Sequence, residues 1–571
     1  MFVCPNCNKQ FEDGVKFCDA CGTALAEVAE TAEPVEAAEA TETAEVTEEV
    51  EAVAAETEEA AETEEAAEIK VAPKFNLPKL PFELDKKVLG IGAAAIAVIV
   101  VLAIIISAIF TGGEPNYSLY MKDGELMYYG MSGKPWQFSD DMESSGYLNL
   151  VSKDGDKIFF QQDGDLYYRN VKSKKDAEKL CTEVDSYMIT EDGKRVLIFA
   201  DDGDLYIHNL KERTKIDSEI ENLVGYSDNF KKIIYLKNGE ENDEGDTEYD
   251  LYMYNGKKTV KLESGISSAS AKKDLSAVYY VKNDDLYSKK GTRDGKKLDS
   301  DVSYIMATYE DGDLYYTKSE DGERSLCYFN GKKSVVVAED IYGVEDGSLE
   351  TPILVYSVDN SDDDDEEWSL DYYVAIKDKS TAINEGDNFV FAEDGKSLYY
   401  LESTDDESDT SDLYKIKIKG KKVGKADKYD TDVSEELGVR VTEDGAVIYF
   451  KDYKDGEATL YKDKKEIQSD VYTSSVKYCA ASKTLAYYID YEDDSSGTLM
   501  FSKNGKKPTK VSEDVYSFQF TPDGQIMYLK DRSEKSGEGE LYLNKLSKKS
   551  KKVDDDVSSL LRVYTWEEIN N

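Results

Sequence analysis

VTEDGAVIYFKDYKDGEATLYKDKK, residues 441–465, contains two Asp-Gly pairs, each flanked by runs in which Tyr, Leu, Ile or Val alternate with polar residues. Asp-Gly supplies the positive backbone dihedrals that tight β-hairpin turns need, and the alternation is that of half-buried strands. The stretch therefore predicts antiparallel strands joined by short turns.

The same pattern recurs about every 40 residues, so the chain contains an internal repeat. About ten units and a partial one are recognisable, and each predicts a four-stranded meander. Three copies carry Asn-Gly-Lys-Lys at a corresponding place, at Asn255–Lys258, Asn330–Lys333 and Asn504–Lys507. The clearest copies lie at 151–170, 189–210, 307–333, 391–404, 441–465 and 520–552, weaker ones begin near Ser227, Lys273, Pro352 and Ser482, and the partial one lies at 117–142.

FTPDGQIMYL, residues 520–529, resembles the repeat of TolB-like and WD40-like propellers. The resemblance implies a mainly β chain whose residues 114–571 form a β-propeller region of about 10–11 blade-like units. Typical rings have 4 to 8 blades, so two abutting propellers are the first interpretation and one large or irregular ring is the second. The incomplete unit at 117 and the extra strand of VSSLLRVYT, 557–565, suggest that the two ends close a ring together.

An uncharged apolar run, VLGIGAAAIAVIVVLAIIISAIF, occupies residues 88–110. Roughly 20 such residues span the hydrocarbon core of a bilayer as a helix, so the run predicts one transmembrane helix and a cell-membrane location. Positive charges near a span favour the cytoplasmic side, which predicts a cytoplasmic N-terminus and an extracytoplasmic C-terminal region. The positive charges all precede the span, at Lys70, Lys74, Lys79, Lys86 and Lys87.

Four cysteines, Cys4, Cys7, Cys18 and Cys21, form two CxxC pairs within residues 1–25. Four thiolates at this spacing suit one tetrahedral Zn²⁺. A coordination sphere closed by four cysteines leaves no place for a catalytic water. The alternatives are two disulfides or a redox dithiol. The segment resembles the short zinc-ribbon domains at the N-termini of many bacterial membrane and regulatory proteins, which implies a structural zinc.

Residues 26–87 connect this module to the apolar run. The tract from 26 to 68 has no aromatic residue, Lys or Arg, and such a composition does not bury enough apolar surface to fold. We interpret the tract as a disordered acidic tether with a Pro-containing segment at its membrane end. An acidic docking tail for a basic partner is the alternative.

The net charge of −49 and the pI near 4.4 argue against nucleic acid as a partner. On the same ground an anionic membrane surface is expected to repel the chain. With 11% aromatic residues, however, the chain is expected to bury a substantial core.

Nothing in the sequence indicates a catalytic site. His208 is the only histidine and lies in a strand pattern, which excludes a histidine triad elsewhere, and no GxSxG motif occurs. A pair of carboxylates as in glycosidases is the remaining route to an enzyme. The odd set Cys181, Cys327 and Cys479 predicts buried thiols and no disulfide framework.

Two acidic inserts, Asp362–Glu367 and residues 238–250, offer oxygen ligands for Ca²⁺, but neither has the spacing of a preformed calcium loop. Solvated loops are the favoured interpretation of both.

We therefore expect a membrane-anchored binding or sensing scaffold. Its propeller would contact a peptide, an envelope component or a protein, and its zinc ribbon would contact a cytoplasmic partner. A structural member of a cell-envelope complex is the second hypothesis, and a carboxylate-dependent hydrolase is the third.

Overall fold

The computed structural model describes residues 2–3, 10–11, 26–27 and 116–565, the last range without 140–148, 174, 243–244, 321, 349, 361–368, 404–408, 492–495, 534 and 563. The predicted span 88–110 and nearly all of the predicted tether lie outside these residues. Within the described part of the chain, no helix is long and apolar enough to cross a membrane.

Three short N-terminal strands form an antiparallel sheet in the order β2-β1-β3. They are β1 (Phe2–Val3), β2 (Gln10–Phe11) and β3 (Ala26–Glu27). Strand β3 begins one residue beyond the predicted boundary of the zinc ribbon at 25, so the pairing includes the first residues that we had assigned to the tether.

The rest of the described chain is built from four-stranded antiparallel units, which we number as sheets 1 to 11. In each of the first seven the strands pair in chain order, as the repeat predicts. The strands of sheets 1 to 4 are β7 (Leu150–Val151), β8 (Lys157–Gln162), β9 (Asp165–Asn170), β10 (Glu178–Cys181); β11 (Val184–Ile189), β12 (Val196–Ala200), β13 (Leu205–His208), β14 (Arg213–Asp217); β15 (Ile220–Tyr226), β16 (Ile233–Glu241), β17 (Thr247–Tyr254), β18 (Thr259–Ile266); and β19 (Ser268–Ala271), β20 (Val278–Lys282), β21 (Asp285–Lys289), β22 (Lys296–Asp299).

Sheets 5 to 7 have the same order. Their strands are β23 (Val302–Thr308), β24 (Leu314–Glu320), β25 (Glu323–Phe329), β26 (Ser334–Ala338); β27 (Ile341–Gly347), β28 (Ile353–Asp359), β29 (Leu370–Ile376), β30 (Lys379–Ile383); and β31 (Asp387–Phe391), β32 (Ser397–Ser403), β33 (Thr410–Lys419), β34 (Lys422–Ser434).

Sheets 8 to 11 are joined, because three long strands each end one sheet and begin the next. The first half of such a strand pairs with the strand before it and the second half with the strand after it. The strands are β35 (Val439–Val441), β36 (Val447–Lys454), β37 (Glu457–Lys462), β38 (Lys465–Cys479), β39 (Thr484–Ile489), β40 (Gly497–Lys503), β41 (Thr509–Phe520), β42 (Ile526–Lys530), β43 (Gly539–Asn544) and β44 (Ser550–Leu561).

The two ends of the repeat region pair with each other, as the sequence suggested. The end of β44 forms the first strand of sheet 11, whose other strands are β4 (Ser118–Lys122), β5 (Glu125–Tyr129) and β6 (Trp136–Ser139). The last strand, β45 (Tyr564–Thr565), pairs in parallel with β7 of sheet 1. The C-terminal strands therefore complete one sheet and extend the next.

Two kinds of Asp-Gly turn connect the strands. Between second and third strands both residues have positive φ, as at Asp163 (52°) and Gly164 (80°), which is the type I′ geometry that the sequence predicts. At the Asp-Gly pairs between first and second strands only the glycine has positive φ, and in four of these turns a Ser or Thr hydroxyl donates a hydrogen bond to the Asp, as Thr190 does to Asp192 at 2.9 Å.

Eleven hydrophobic clusters, counted over the described residues, each combine side chains of two consecutive sheets. Tyr129 of sheet 11 packs with Leu541 of sheet 10, and Phe138 of sheet 11 packs with Phe160 of sheet 1 at a ring separation of 5.6 Å. The packing thus returns to its start after eleven sheets, and we call this closed series the ring. Our first interpretation, two abutting propellers, is wrong, since none of these clusters closes a smaller circuit.

The largest fully buried side chains of the described residues are tyrosines. Phenol rings fill the space between neighbouring sheets and carry a hydroxyl that needs a partner when buried. These tyrosines are Tyr120, Tyr129, Tyr187, Tyr235, Tyr280, Tyr315, Tyr316, Tyr328, Tyr356, Tyr400, Tyr449 and Tyr487.

Candidate binding surface

The antiparallel strand order sorts the turns onto two edges of the ring. Turns after the first and third strands of a sheet lie at one edge, and connections after the second and fourth strands lie at the other. We call the first edge the lysine rim and the second the acidic rim, because their charges differ in sign.

The turns between third and fourth strands carry a net formal charge of +14 around the ring. Asparagine positions several of the lysines: Asn255 Oδ1 accepts the backbone N–H groups of Lys257 and Lys258, and Asn330 Oδ1 accepts those of Lys332 and Lys333, at 3.0–3.2 Å. These four lysines are exposed and have no carboxylate within ion-pair distance among the described residues. The Asn-Gly-Lys-Lys motif thus displays paired positive charges on the lysine rim.

The turns between second and third strands carry a net formal charge of −26. Every one of these eleven turns contains more acidic than basic residues, from single Asp-Gly pairs to the inserts at 360–369 and 404–409. The acid that composition alone shows as spread over the whole repeat region is therefore concentrated at one edge.

A second set of carboxylates lies on the acidic rim where one sheet passes to the next. Eight acidic residues of the described chain have φ between 52° and 60°, are exposed, and directly precede a Val or Ile. In seven cases this Val or Ile begins the next sheet, whereas Val433 lies at the end of β34. Such a backbone conformation is uncommon for residues other than Gly, Asn and Asp. They are Glu183, Glu219, Asp301, Asp340, Asp432, Asp470, Asp514 and Asp556. Gly265 (φ 67°) takes the same place once, so the backbone does not require a carboxylate there.

Beneath this rim, partly buried ion pairs join neighbouring sheets at five interfaces of the described part of the chain. A carboxylate on the fourth strand of one sheet accepts hydrogen bonds from a Tyr hydroxyl and a Lys ammonium on the second strand of the next, and we call this set a clasp. The clasps are Asp217 with Tyr235 and Lys237, Glu263 with Tyr280 and Lys282, Asp299 with Tyr316 and Lys318, Asp430 with Tyr449 and Lys451, and Asp554 with Tyr120 and Lys122.

The clasp changes the proton affinity of its members. Burial by itself raises the pKa of Asp217, but the hydrogen bonds from Tyr235 (2.6 Å) and Lys237 (2.9 Å) outweigh it, so the pKa lies below its ordinary value. Burial is also the largest cause that raises the pKa of Tyr235, and the Asp217 carboxylate adds to it. Each clasp therefore holds an ionised carboxylate and a neutral phenol.

A pocket of about 370 Å³ opens on the lysine rim between sheets 2 and 3. Its wall includes Arg195, Lys231 and Lys257 against the single carboxylate of Glu212, with Phe230 at its side. Three positive side chains against one carboxylate give the pocket a net positive charge that suits a small anionic group.

His208 has the structural role that its strand pattern predicts. It is buried in β13, and its Nδ1 accepts the backbone N–H of Leu210 at 3.0 Å. Burial lowers the pKa of His208, so its imidazole is neutral at physiological pH. Cys181 and Cys327 are free and buried, as predicted, whereas Cys479 is partly exposed.

The acidic insert at 238–250 is largely a hairpin extension, where we expected a loop. Glu240 of β16 pairs with Glu248 of β17, and Asn238 Nδ2 donates to Asp250 at 2.8 Å. Over the part of the chain that the structure describes, no group of three or more His, Cys, Asp or Glu residues has the geometry of a metal site. Asp362–Glu367 and the cysteines Cys4, Cys7, Cys18 and Cys21 lie outside the described residues.

Sequence reasoning missed both the acidic positions and the clasps, although a short pattern carries them. The tetrapeptides DSEI (217–220), ESGI (263–266), DSDV (299–302), DTDV (430–433) and DDDV (554–557) begin with the clasp carboxylate and end with the buried Val or Ile. The residue before the Val or Ile is the exposed one. The pattern is short and degenerate, and the Tyr-x-Lys that completes the clasp follows on another strand.

Comparison with known proteins identifies the N-terminal module. Residues 3–25 match the zinc-ribbon domain family, so the chain carries a zinc-ribbon domain there. All four candidate ligands fall inside the match, and a set of four thiols suits Zn²⁺. A search of curated proteins found no match.

Among solved structures, a eukaryotic initiation factor covers 70% of this chain and 97% of its own, with 8% identity and a TM-score of 0.39. Dipeptidyl peptidase 4 of Porphyromonas gingivalis covers 65% and 59%, with 12% identity and a TM-score of 0.33. The β-propeller domain of the Trilobed protease from Pyrococcus furiosus covers 59% and 98%, with 14% identity and a TM-score of 0.27. Similarity this low says nothing about the activity of this chain.

Proposed function

We propose that the protein is a membrane-anchored binding scaffold without catalytic activity. Residues 88–110 span the membrane, the ring lies outside the cell, and the zinc ribbon contacts a protein in the cytoplasm. The ring binds a cationic peptide or protein segment on its acidic rim.

The observation that carries this proposal is the row of exposed carboxylates with positive φ. Positive φ that recurs at one place of a fold motivates a hypothesis of function, and Asp adopts this conformation more readily than most residues with a side chain. Glycine would relieve the strain, as it does at Gly265, yet eight of these positions carry an acid. The regular row of negative charge attracts and orients a partner with clustered positive charge.

Two exposed aromatic side chains lie beside this row. Tyr304 of β23 is 59% exposed and Tyr342 of β27 is 49% exposed, on the first strands of neighbouring sheets and close to Asp301 and Asp340. Phenol rings attract Lys and Arg side chains through cation–π contacts. The pair adds an apolar contact to a surface that is otherwise charged.

The anchor and the module in front of it support the remaining parts of the proposal. The length of the apolar run and the lysines that precede it favour a single span with a cytoplasmic N-terminus. A reducing cytoplasm keeps thiols available for a metal. A zinc sphere closed by Cys4, Cys7, Cys18 and Cys21 would then stabilise a module for protein contact.

Binding of a fluorescent decalysine peptide to the detergent-solubilised full chain tests the proposal, with anisotropy as the readout. The quadruple variant D301N/D340N/D514N/D556N removes four charges from the acidic rim, and Asn tolerates positive φ. The matched control D192N/D394N/D444N/D523N removes four charges from turns of the lysine rim, where Asn229 already occupies one such position.

We expect the rim variant to weaken binding about tenfold and the control about twofold or less, because close charges dominate over distant ones. Equal weakening by both variants would show attraction by net charge alone. Absence of binding by the unmodified chain at low salt would overturn the proposal and favour the structural role in an envelope complex.

A further inference from the structure

The chain enters the ring at the lysine rim. Asn116 and Tyr117 precede β4, the second strand of sheet 11, and Ser118 at its start pairs with Tyr129. Tyr129 is followed at once by the turn 130–135, which belongs to the lysine rim and contains Lys134. The first residues of the ring therefore lie at the lysine rim.

The apolar run ends close to this entry point in sequence. Only residues 111–115 separate Phe110 from Asn116, and a fully extended chain of that length reaches at most about 20 Å. If residues 88–110 span a bilayer, the entry point of the ring is held within that distance of its surface.

The entry point of the chain lies at the lysine rim and the predicted span ends close to it in sequence, so this edge of the ring would face the membrane. The edge nearest the predicted span carries the exposed lysine pairs, and it also contains the cationic pocket of Arg195, Lys231 and Lys257. The acidic rim lies at the other end of the strands. A seven-residue strand such as β24 is about 20 Å long.

We propose that the lysine rim lies against an anionic phospholipid surface, with the cationic pocket placed to take a lipid phosphate, and that the acidic rim points away from the membrane. The inference rests on the proposed function, because it takes residues 88–110 as the span.

The net charge of −49 would by itself repel an anionic membrane, but dissolved salt screens charges that lie far from the membrane surface. At physiological ionic strength the Debye length is about 8 Å, so a lipid surface in contact with one rim hardly acts on charges about 20 Å away. Juxtamembrane Lys and Arg are attracted to anionic lipid within this short range. The expectation from composition, that an anionic membrane repels the chain, therefore applies to the acidic rim and not to the lysine rim.

Hydrogen–deuterium exchange of the full chain in lipid nanodiscs tests the orientation. The discs contain phosphatidylcholine alone or phosphatidylcholine with about one third phosphatidylglycerol, enough to give a negative surface potential. We expect the turns 255–258 and 330–333 to exchange at least about fivefold more slowly in the anionic discs, and the protection to disappear at high salt as charge attraction is screened. The turns of the acidic rim should exchange equally in both.

A charge variant and its control locate the effect. K257Q/K258Q/K332Q/K333Q should abolish the protection of the lysine rim by anionic lipid. K179Q/K215Q/K297Q/K428Q changes the net charge equally, but its lysines pair with acidic residues at the opposite end of the strands, and it should preserve the protection.

The possible failures are distinguishable. Release of the protein from all discs by alkaline carbonate would refute the span and with it the proposed function. Retention of the protein without slower exchange at the lysine rim, or with slower exchange at the acidic rim, would overturn only this inference. Protection by a soluble glycerol-phosphate polymer but not by anionic lipid would also overturn it and identify a wall polymer as the partner.

Discussion

Seven of the eleven interfaces between the described sheets allow a comparison of two uses of the same buried tyrosine. At five interfaces the hydroxyl of this tyrosine donates to the carboxylate of a clasp, as Tyr449 does to Asp430. At two others the hydroxyls of Tyr400 and Tyr487 are buried and have no hydrogen-bond partner among the described residues. Both kinds close the ring, so aromatic packing suffices for the architecture.

The two kinds of interface differ on both strands. Two residues after the tyrosine, the place of the clasp lysine holds Glu402 or Ile489 at the interfaces of Tyr400 and Tyr487. Clasped interfaces have Asp or Glu three residues before the buried Val or Ile. At four other interfaces the same place holds Cys181, Ala338, Gln468 or Ser512. The clasp is thus an electrostatic addition to a hydrophobic interface, and its contribution is measurable because the chain contains both kinds.

Removal of a clasp carboxylate should have the largest effect. Asp430→Ala leaves Lys451, whose side chain is 14% exposed, without its ion-pair partner, and leaves the Tyr449 hydroxyl without its acceptor. We expect a loss of about 2–3 kcal/mol in the free energy of unfolding, toward the lower end for broken buried ion pairs because the pair is not fully buried. Urea denaturation of the purified full chain measures it.

Asp427→Ala is the matched control. Asp427 lies on the same strand but is exposed, and surface substitutions of this kind usually change stability by about 0.5 kcal/mol or less. An equal loss in both variants would show that the strand β34 tolerates no alanine, and would leave the clasp without an energetic role.

The same substitution in the two kinds of interface should have opposite signs. Tyr449→Phe removes a hydrogen bond to a charged acceptor and should cost about 1.5–2 kcal/mol. Tyr487→Phe removes a hydroxyl that has no partner and should leave stability unchanged or raise it by up to about 1 kcal/mol. Thermal unfolding of both variants gives the comparison directly, and equal destabilisation would contradict it.

The clasps should also make the ring sensitive to acid. Burial by itself raises the pKa of each clasp carboxylate, but the hydrogen bond and charge of the clasp lysine, together with the Tyr hydroxyl in all but Glu263, outweigh it, so each pKa lies below its ordinary value in the folded chain. Below about pH 4 the unfolded chain therefore binds more protons than the folded chain. Stability is present above this pH and is lost as the pH falls through the lower folded pKa.

Asp430→Asn should reduce this acid dependence, since it removes one of the five groups. Denaturant unfolding between pH 3 and pH 6 measures the slope. An unchanged slope in the variant would show that other carboxylates dominate the acid response.

Local pattern predicted the units but not how they associate. Asp-Gly turns and alternating Tyr, Leu and Val predicted the strands and the period, because these depend on neighbours in sequence. The pairing of the two ends was predicted from the incomplete unit at 117 and the extra strand at the other end. The choice between one ring and two depends on which faces of the sheets pack together, as Tyr129 does with Leu541, and alternation along one strand is the same in either case.

The segregation of charge was hidden for a related reason. Lys257 and Asp246 lie eleven residues apart in the sequence, yet the first is in a turn of the lysine rim and the second in a turn of the acidic rim. Overall composition sums the charges of such neighbours and does not show that they lie at different edges. Their separation appears only when each turn is assigned to an edge by the order of the strands, which the repeat would have allowed.

The smallest expected change in stability comes from a substitution that completes a clasp at an interface where two of its three members are already present. Tyr528 and Lys530 occupy the clasp positions on β42, while Ser512 stands where the carboxylate would be. Ser512→Asp should therefore raise the free energy of unfolding by about 0.5–1 kcal/mol, the ordinary net value of such a contact. Urea denaturation at neutral pH measures the change.

Gln468→Asp provides the counterpart in the interface of sheets 8 and 9. There Tyr487 is present, but Ile489 occupies the place of the clasp lysine, so the new carboxylate would be buried beside an apolar residue without a cation. We expect this variant to be destabilised. A gain in both variants would mean that the Tyr hydroxyl alone holds the carboxylate. A loss in both would mean that the clasps depend on features of their own interfaces beyond the three side chains, because the lysine at 530 would then have failed to compensate for burial of the charge.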